Sequence, residues 1–190
     1  MTRRRTSKRV LLVALLVAAA TLAGILTQLG LGGSERIEIG NGSVSALARV
    51  ARSADTLPAS ILAYPFAGRN FASANGAGSR LLQTQGSLSL FAVPGKGGML
   101  CLIEIDSVAE TAGGTCADRD VLRTGSIYMA DRQEDDSRLI VGLVGDGHTY
   151  AEADGKRTRV DNNAFVLRGV DGSDFTVGSP TAAQTVDIGD

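Results

Sequence analysis

Residues Leu100–Asp118 read LCLIEIDSVAETAGGTCAD and hold the only two cysteines of this 190-residue chain, Cys101 and Cys116. The first half of the stretch alternates. With the preceding residue included, Met99, Cys101, Ile103 and Ile105 share one face of a strand, and Leu100, Leu102, Glu104 and Asp106 share the other. Cys101 therefore points to the apolar side. Ala112-Gly113-Gly114 reads as a flexible turn just before Cys116. A chain that leaves a strand and returns through such a turn can bring the two sulfurs together.

One intramolecular disulfide, Cys101–Cys116, is the simplest count for two cysteines outside the cytoplasm. Closing a loop of about 15 residues stabilises the fold by roughly 3 kcal/mol in the chain-entropy model. A redox dithiol would show C-x-x-C, which is absent. Structural zinc takes about four ligands. The chain offers two cysteines and a single histidine, His148, so no metal site is expected.

The N-terminus gives the compartment. MTRRRTSKR, residues 1–9, carries five bases and no acid, and Val10–Ser34 carries no charge at all. About 20 apolar residues in a helix span the hydrocarbon core of a bilayer. Residues 10–31 are thus expected to be a transmembrane signal-anchor, with 1–9 in the cytoplasm and the rest outside. A cleaved signal peptide ending near Ala18-Ala19-Ala20 is the rival reading, which would release the protein. All 20 acids lie at Glu35 or later, against 14 of the 19 bases, so the exported part carries −6 while the whole chain carries −1. That balance offers no electrostatic footprint for nucleic acid.

Residues 32–86 read as a juxtamembrane helix and loop region. In SVSALARVARSAD, Ser43–Asp55, the residues Val44, Leu47, Ala48, Ala51 and Ala54 form a helical stripe. Ser43 is the expected N-cap, and Pro58 limits the helix beyond. Tyr64–Arg80 is rich in Gly, Ala, Ser and Asn and reads as loop, without a phosphate-binding glycine pattern. Residues 87–190 read as an extracytoplasmic β domain. Expected strands are Ser87–Val93, Met99–Ile105, Ser126–Ala130, Arg138–Val144, Thr149–Ala153, Lys156–Val160, Ala164–Arg168 and Phe175–Val177. Asp146-Gly147, Asp154-Gly155 and Asp171-Gly172 between these runs predict the hairpin turns of an antiparallel meander.

Catalytic patterns are thin. No G-x-S-x-G occurs. A Ser-His or Cys-His mechanism must use His148, which sits beside an Asp-Gly turn and is expected to be an exposed loop residue. Glu104 and Asp106 share a strand face and are expected to be solvated. Tyr150–Asp161 approaches a calcium loop but places Tyr150 at the first ligand position and three bases inside. No cofactor is expected.

Arg80-Leu81, VPGKGGMLCL, GGTCA, GLVGDG and DNNAFV resemble an uncharacterised group of small exported or membrane-anchored proteins of high-GC Gram-positive bacteria. In that group a Gly-Gly-x-Cys turn and a G-L-V-x-D-G segment recur. The resemblance covers about residues 80–168 and departs at Gly145, where the similar sequences often carry proline. It implies an exported β-rich domain and no catalytic residue.

The expected protein is mainly β: one N-terminal transmembrane helix, a short helix, then an antiparallel β-sandwich or partly open barrel. The expected function is a membrane-tethered, non-enzymatic domain that binds a protein or an envelope component. Two alternatives stand beside it. One is a small-ligand-binding β domain, with its site at Tyr64–Arg80 or the barrel mouth. The other is a hydrolase using His148, which requires that imidazole in a cleft within reach of Asp or Glu.

Overall fold

The computed structural model describes residues 42–189. The expected basic tail and membrane anchor, 1–9 and 10–31, lie outside the described residues. Among the described residues no helix is long and apolar enough to cross a membrane. The fold is mainly β: strands make up 47% of it, all pairings are antiparallel, and the helices are short.

Eleven strands form three sheets among the described residues. The first sheet is a meander of β1 (Arg80–Gln85), β2 (Leu88–Pro94), β3 (Leu100–Asp106) and β4 (Thr111–Ala117). The second holds β5 (Ser126–Arg132), β6 (Arg138–Val144) and β9 (Ala164–Val170), with β6 in the middle. The third is ordered β11-β10-β7-β8, from β7 (Tyr150–Ala153), β8 (Lys156–Arg159), β10 (Asp174–Gly178) and β11 (Ala183–Asp187).

The second sheet is apolar on both faces, which makes it the middle layer. Its Leu139, Val141, Leu143, Ala164 and Val166 pack against Leu88, Leu90, Leu100 and Leu102 of the first sheet. Its Ile140, Val144, Phe165 and Leu167 pack against Ala151, Ala153, Phe175 and Val177 of the third. This two-sided burial explains why RLIVGLV has no polar alternation. Gly142 stands opposite Phe165 in the ladder, and a Cβ there would lie 2.1 Å from the Phe165 ring. The glycine makes the space that the ring fills.

The first sheet is also covered twice. Its outer face carries Phe91, Val93, Cys101 and Ile103 under Leu57, Ile61, Ala67 and Phe71. Ala67 and Phe71 come from Tyr64–Arg80, the segment expected to be loop, while Leu57 and Ile61 precede it. Two short helices carry the cover, α2 (Ala59–Leu62) before that segment and α3 (Pro65–Asn70) within it, both opening at prolines. β1 likewise lies before the expected start of the β domain at 87.

The juxtamembrane helix is shorter than expected. α1 covers only Ser45–Ala48, with Val44 rather than Ser43 at its N-cap. Side chains distant in sequence hold it. Asp146 accepts from the Ser45 amide at 3.0 Å and from Ser43 Oγ at 2.7 Å. Asn163 Oδ1 accepts from the Ala46 amide at 3.1 Å. The chain then turns extended because Arg49 folds onto Asp55, its two guanidinium nitrogens 2.7 and 2.5 Å from the carboxylate. Asp55 is buried and also accepts from the Arg52 and Leu81 amides, at 2.6 and 2.8 Å. Four donors hold its carboxyl well below the usual carboxylate range, the Arg49 hydrogen bonds foremost.

Two turn expectations are corrected. Of the three Asp-Gly pairs, only Asp154-Gly155 closes a hairpin, β7 to β8, with φ of 50° and 70°. At Asp146-Gly147 and Asp171-Gly172 the chain instead changes layer, because β6 pairs with β9 and β7 with β10. Asp146 is committed to α1, and Asp154 accepts from the Asp171 and Gly172 amides at 2.6 and 3.0 Å. Ala112-Gly113-Gly114 is not a turn: it lies inside β4, paired to Ile105, Glu104 and Ile103. A Cβ at Gly114 would lie 2.7 Å from Ile103 Cδ1 and 2.8 Å from the Phe66 ring, so the small residue allows the close packing. The reversal falls at residues 107–110, where Asp106 Oδ1 accepts from the Val108 and Ala109 amides at 2.8 and 3.0 Å.

Candidate functional site

Cys101 and Cys116 face each other directly across β3 and β4. Their sulfurs are 2.00 Å apart and their Cα atoms 4.0 Å apart, a disulfide pair. The bond clasps the hairpin on its outer face. Three residues along, the same hairpin shapes a cleft on its inner face.

Leu100, Leu102, Glu104 and Asp106 do share one face, as the alternation says, but that face is the one turned to the second sheet. The expected solvation of Glu104 is therefore corrected. Glu104 retains only 9% of its accessible surface. On β3 it follows the packed Leu100 and Leu102. The cleft there has a volume of about 380 Å³ and is lined by Glu104, Asp106, Thr111, Gly113, Asp131, Gln133 and Leu139, among others. Asp131 enters from the opposite sheet, one alternation beyond the core residues Ile127 and Met129 of β5. Gly113 is the ladder partner of Glu104, so no side chain stands beside the carboxyl on β4. A shallower groove past Gln133 and Leu139 reaches Arg168 and Gly169.

The electrostatics of the cleft are unusual for a domain surface. Glu104 Oε2 is sealed from solvent and has no hydrogen-bond partner among the described residues. Burial, then the charges of Asp131 and Asp106, push the Glu104 carboxyl up to about 7, against a weaker opposing pull from Arg168. Near neutral pH the group is thus poised between its two protonation states. Asp106 is held below its ordinary value by the Ala109 and Val108 amides, so it stays ionised.

His148 is corrected too. It is buried, at 6% exposure, rather than exposed. Its Nδ1 lies 3.0 Å from the Gly145 carbonyl oxygen. A carbonyl only accepts, so Nδ1 carries the proton and Nε2 is left as a bare acceptor, without a partner among the described residues. Burial lowers its pKa against the effect of that hydrogen bond. The orienting partner is backbone, where a triad would require a carboxylate. Gly145 itself admits no side chain, since a Cβ would lie 2.6 Å from the Leu122 carbonyl oxygen.

The remaining sequence candidates do not gather. Tyr64–Arg80 packs Ala67 and Phe71 into the core under the first sheet. Among the described residues no group of three His, Cys, Asp or Glu side chains is arranged to hold a metal ion. The signal that could have marked Glu104 was its phase: it follows Leu100 and Leu102 on one face.

Comparison with protein-family models, with curated proteins and with solved structures finds no match.

Proposed function

We propose that this chain is a membrane-tethered extracytoplasmic binding module, non-enzymatic, whose contact site is the mouth between its first two sheets. The likeness to small exported and membrane-anchored proteins belongs to the same proposal, as does reading the stacked sheets as a sandwich. The observation that carries it is the Glu104 cleft. A sealed carboxyl oxygen without a partner is costly to bury, and a ligand group is the natural complement. The disulfide at Cys101–Cys116 supports an oxidising compartment. The apolar stretch at 10–31 supplies the tether.

A binding module fits better than a hydrolase because His148 is oriented by the Gly145 carbonyl, and among the described residues no carboxylate bonds its ring. It fits better than an apolar-ligand carrier because the spaces between the sheets are filled with Leu, Val, Ile and Phe. The test is photocrosslinking in the native membrane. A crosslinking residue replaces Thr111 on the cleft rim or Thr181 in the β10–β11 turn, both exposed. A discrete adduct at Thr111 and none at Thr181 supports the cleft as the contact site. Equal or absent adducts at the two positions overturn it. The intact mass of the mature protein checks the tether: a start at Met1 or one residue later means an anchor, and a start near residue 21 means release.

A further inference from the structure

The cleft has one chemistry more than any other. Two carboxyl groups face it from opposite sheets with acceptor capacity to spare: Glu104 from β3 and Asp131 from β5. Asp106 adds negative charge at the rim, while its Oδ1 is engaged by the hairpin amides. The neutral neighbours are Thr111 and Gly113 on β4, Gln133 after β5, and Leu139 on β6. Arg168 on β9 is the one base acting on Glu104, and among the described residues it forms no ion pair with it. The cleft is therefore short of positive charge. Metal ions fit poorly, because the carboxylates do not converge on one point. A cation with several N–H donors on a slender stem does not need convergence: it can donate to carboxylates on two walls.

Resting on the binding-module reading, we propose that the cleft between β3–β4 and β5 takes a single organic cation, an alkylammonium or guanidinium group, held between Glu104 and Asp131. Gly113 keeps the approach open. The cation offsets the charge of the Glu104 carboxylate, which no donor among the described residues does. It also favours the ionised carboxylate, so a proton leaves Glu104 as the ligand enters. Affinity then rises as pH climbs from about 6 to about 8, as the proton that competes with the ligand is lost. Asp106 and Asp131 strengthen that competition at low pH by favouring the protonated Glu104, and Arg168 weakens it.

The test uses the full-length protein in uncharged detergent micelles, followed by NMR. The probes are n-butylammonium chloride, Nα-acetyl-arginine amide and calcium chloride, at constant ionic strength. Saturable shifts of the Thr111 and Gly113 amides with either organic cation, and none with calcium, are expected. Glu104→Gln should weaken binding about tenfold, the equivalent of one charge-assisted hydrogen bond. Gly113→Val should weaken it as well. Its backbone takes a side chain without strain, since a Cβ there meets only Met129 Sδ at 3.5 Å. Linear shifts without saturation, binding unchanged in Glu104→Gln, or preferential calcium binding would each overturn the proposal. A crosslinked partner at Thr111 with no organic-cation binding would leave the binding module standing and remove only this ligand class.

Discussion

Replacing Glu104 by Gln separates the pH dependence of this fold from everything else that holds it. The amide has the size and neutrality of the protonated acid. Below about pH 4.5 the wild-type carboxyl is protonated in both the folded and the unfolded chain, so ionisation has no effect on stability there. Between 4.5 and about 7 the unfolded chain gives up its proton while the folded chain keeps it. Stability falls in that window, because the unfolded state is the one that ionises freely. Above about 7 both states are ionised, and the loss is complete. The span from 4.5 to about 7, at about 1.4 kcal/mol per pH unit, amounts to about 3 kcal/mol. Glu104→Gln lacks this loss. Urea denaturation of both proteins, read at half-unit steps from pH 4.5 to 8.5, measures it directly. The expected result is a variant more stable by about 1 kcal/mol at pH 5 and by about 3 kcal/mol at pH 8. Parallel profiles would refute the reasoning, since they would mean that Glu104 is hydrated in the folded state. A variant less stable at every pH would refute it differently, by showing that the carboxyl has a partner that an amide cannot replace.

Three further perturbations test the architecture. Replacing Cys101 and Cys116 together by Ser should lower stability by about 3 kcal/mol, from loop-closure entropy, as measured by denaturant midpoint under oxidising conditions. Gly142→Ala should destabilise by about 2 kcal/mol, because its Cβ meets the Phe165 ring at 2.1 Å, whereas Gly113→Ala should stay within about 0.5 kcal/mol of wild type. Equal thermal midpoints for the two glycine variants would contradict the packing of the middle sheet. Asp55→Ala should cost about 3–5 kcal/mol, since it strands Arg49 and the Leu81 amide. Amide exchange at Leu81 should then quicken more than exchange in β6.

The strands whose residues alternate or run apolar between Gly and Pro were legible. Arg138–Val144 and Ala164–Arg168 read as strands and are strands. So was the pairing of Cys101 with Cys116, a matter of counting. β1, β4 and β11 were not legible, because RLLQTQ, TAGGTCA and AQTVD carry weak β patterns and become strands through pairing to stronger neighbours. The short helices α2 and α3 were hidden for the same reason: Ile61, Ala67 and Phe71 make sense only above the outer face of the first sheet.

The sequence by itself determined which residues share a face and that the two cysteines could form one bridge. Those are local properties, set by the period of the backbone and by residue type. Only the tertiary structure decided which face is covered. Glu104 follows two leucines with the same period whether that face meets water or another sheet. Layering put a second sheet there, and with it turned a surface carboxylate into a buried one without a partner. His148 changed in the same way, from a turn residue to a buried imidazole bonded to Gly145. Burial depends on what the rest of the chain brings alongside, so local pattern could not place these two groups.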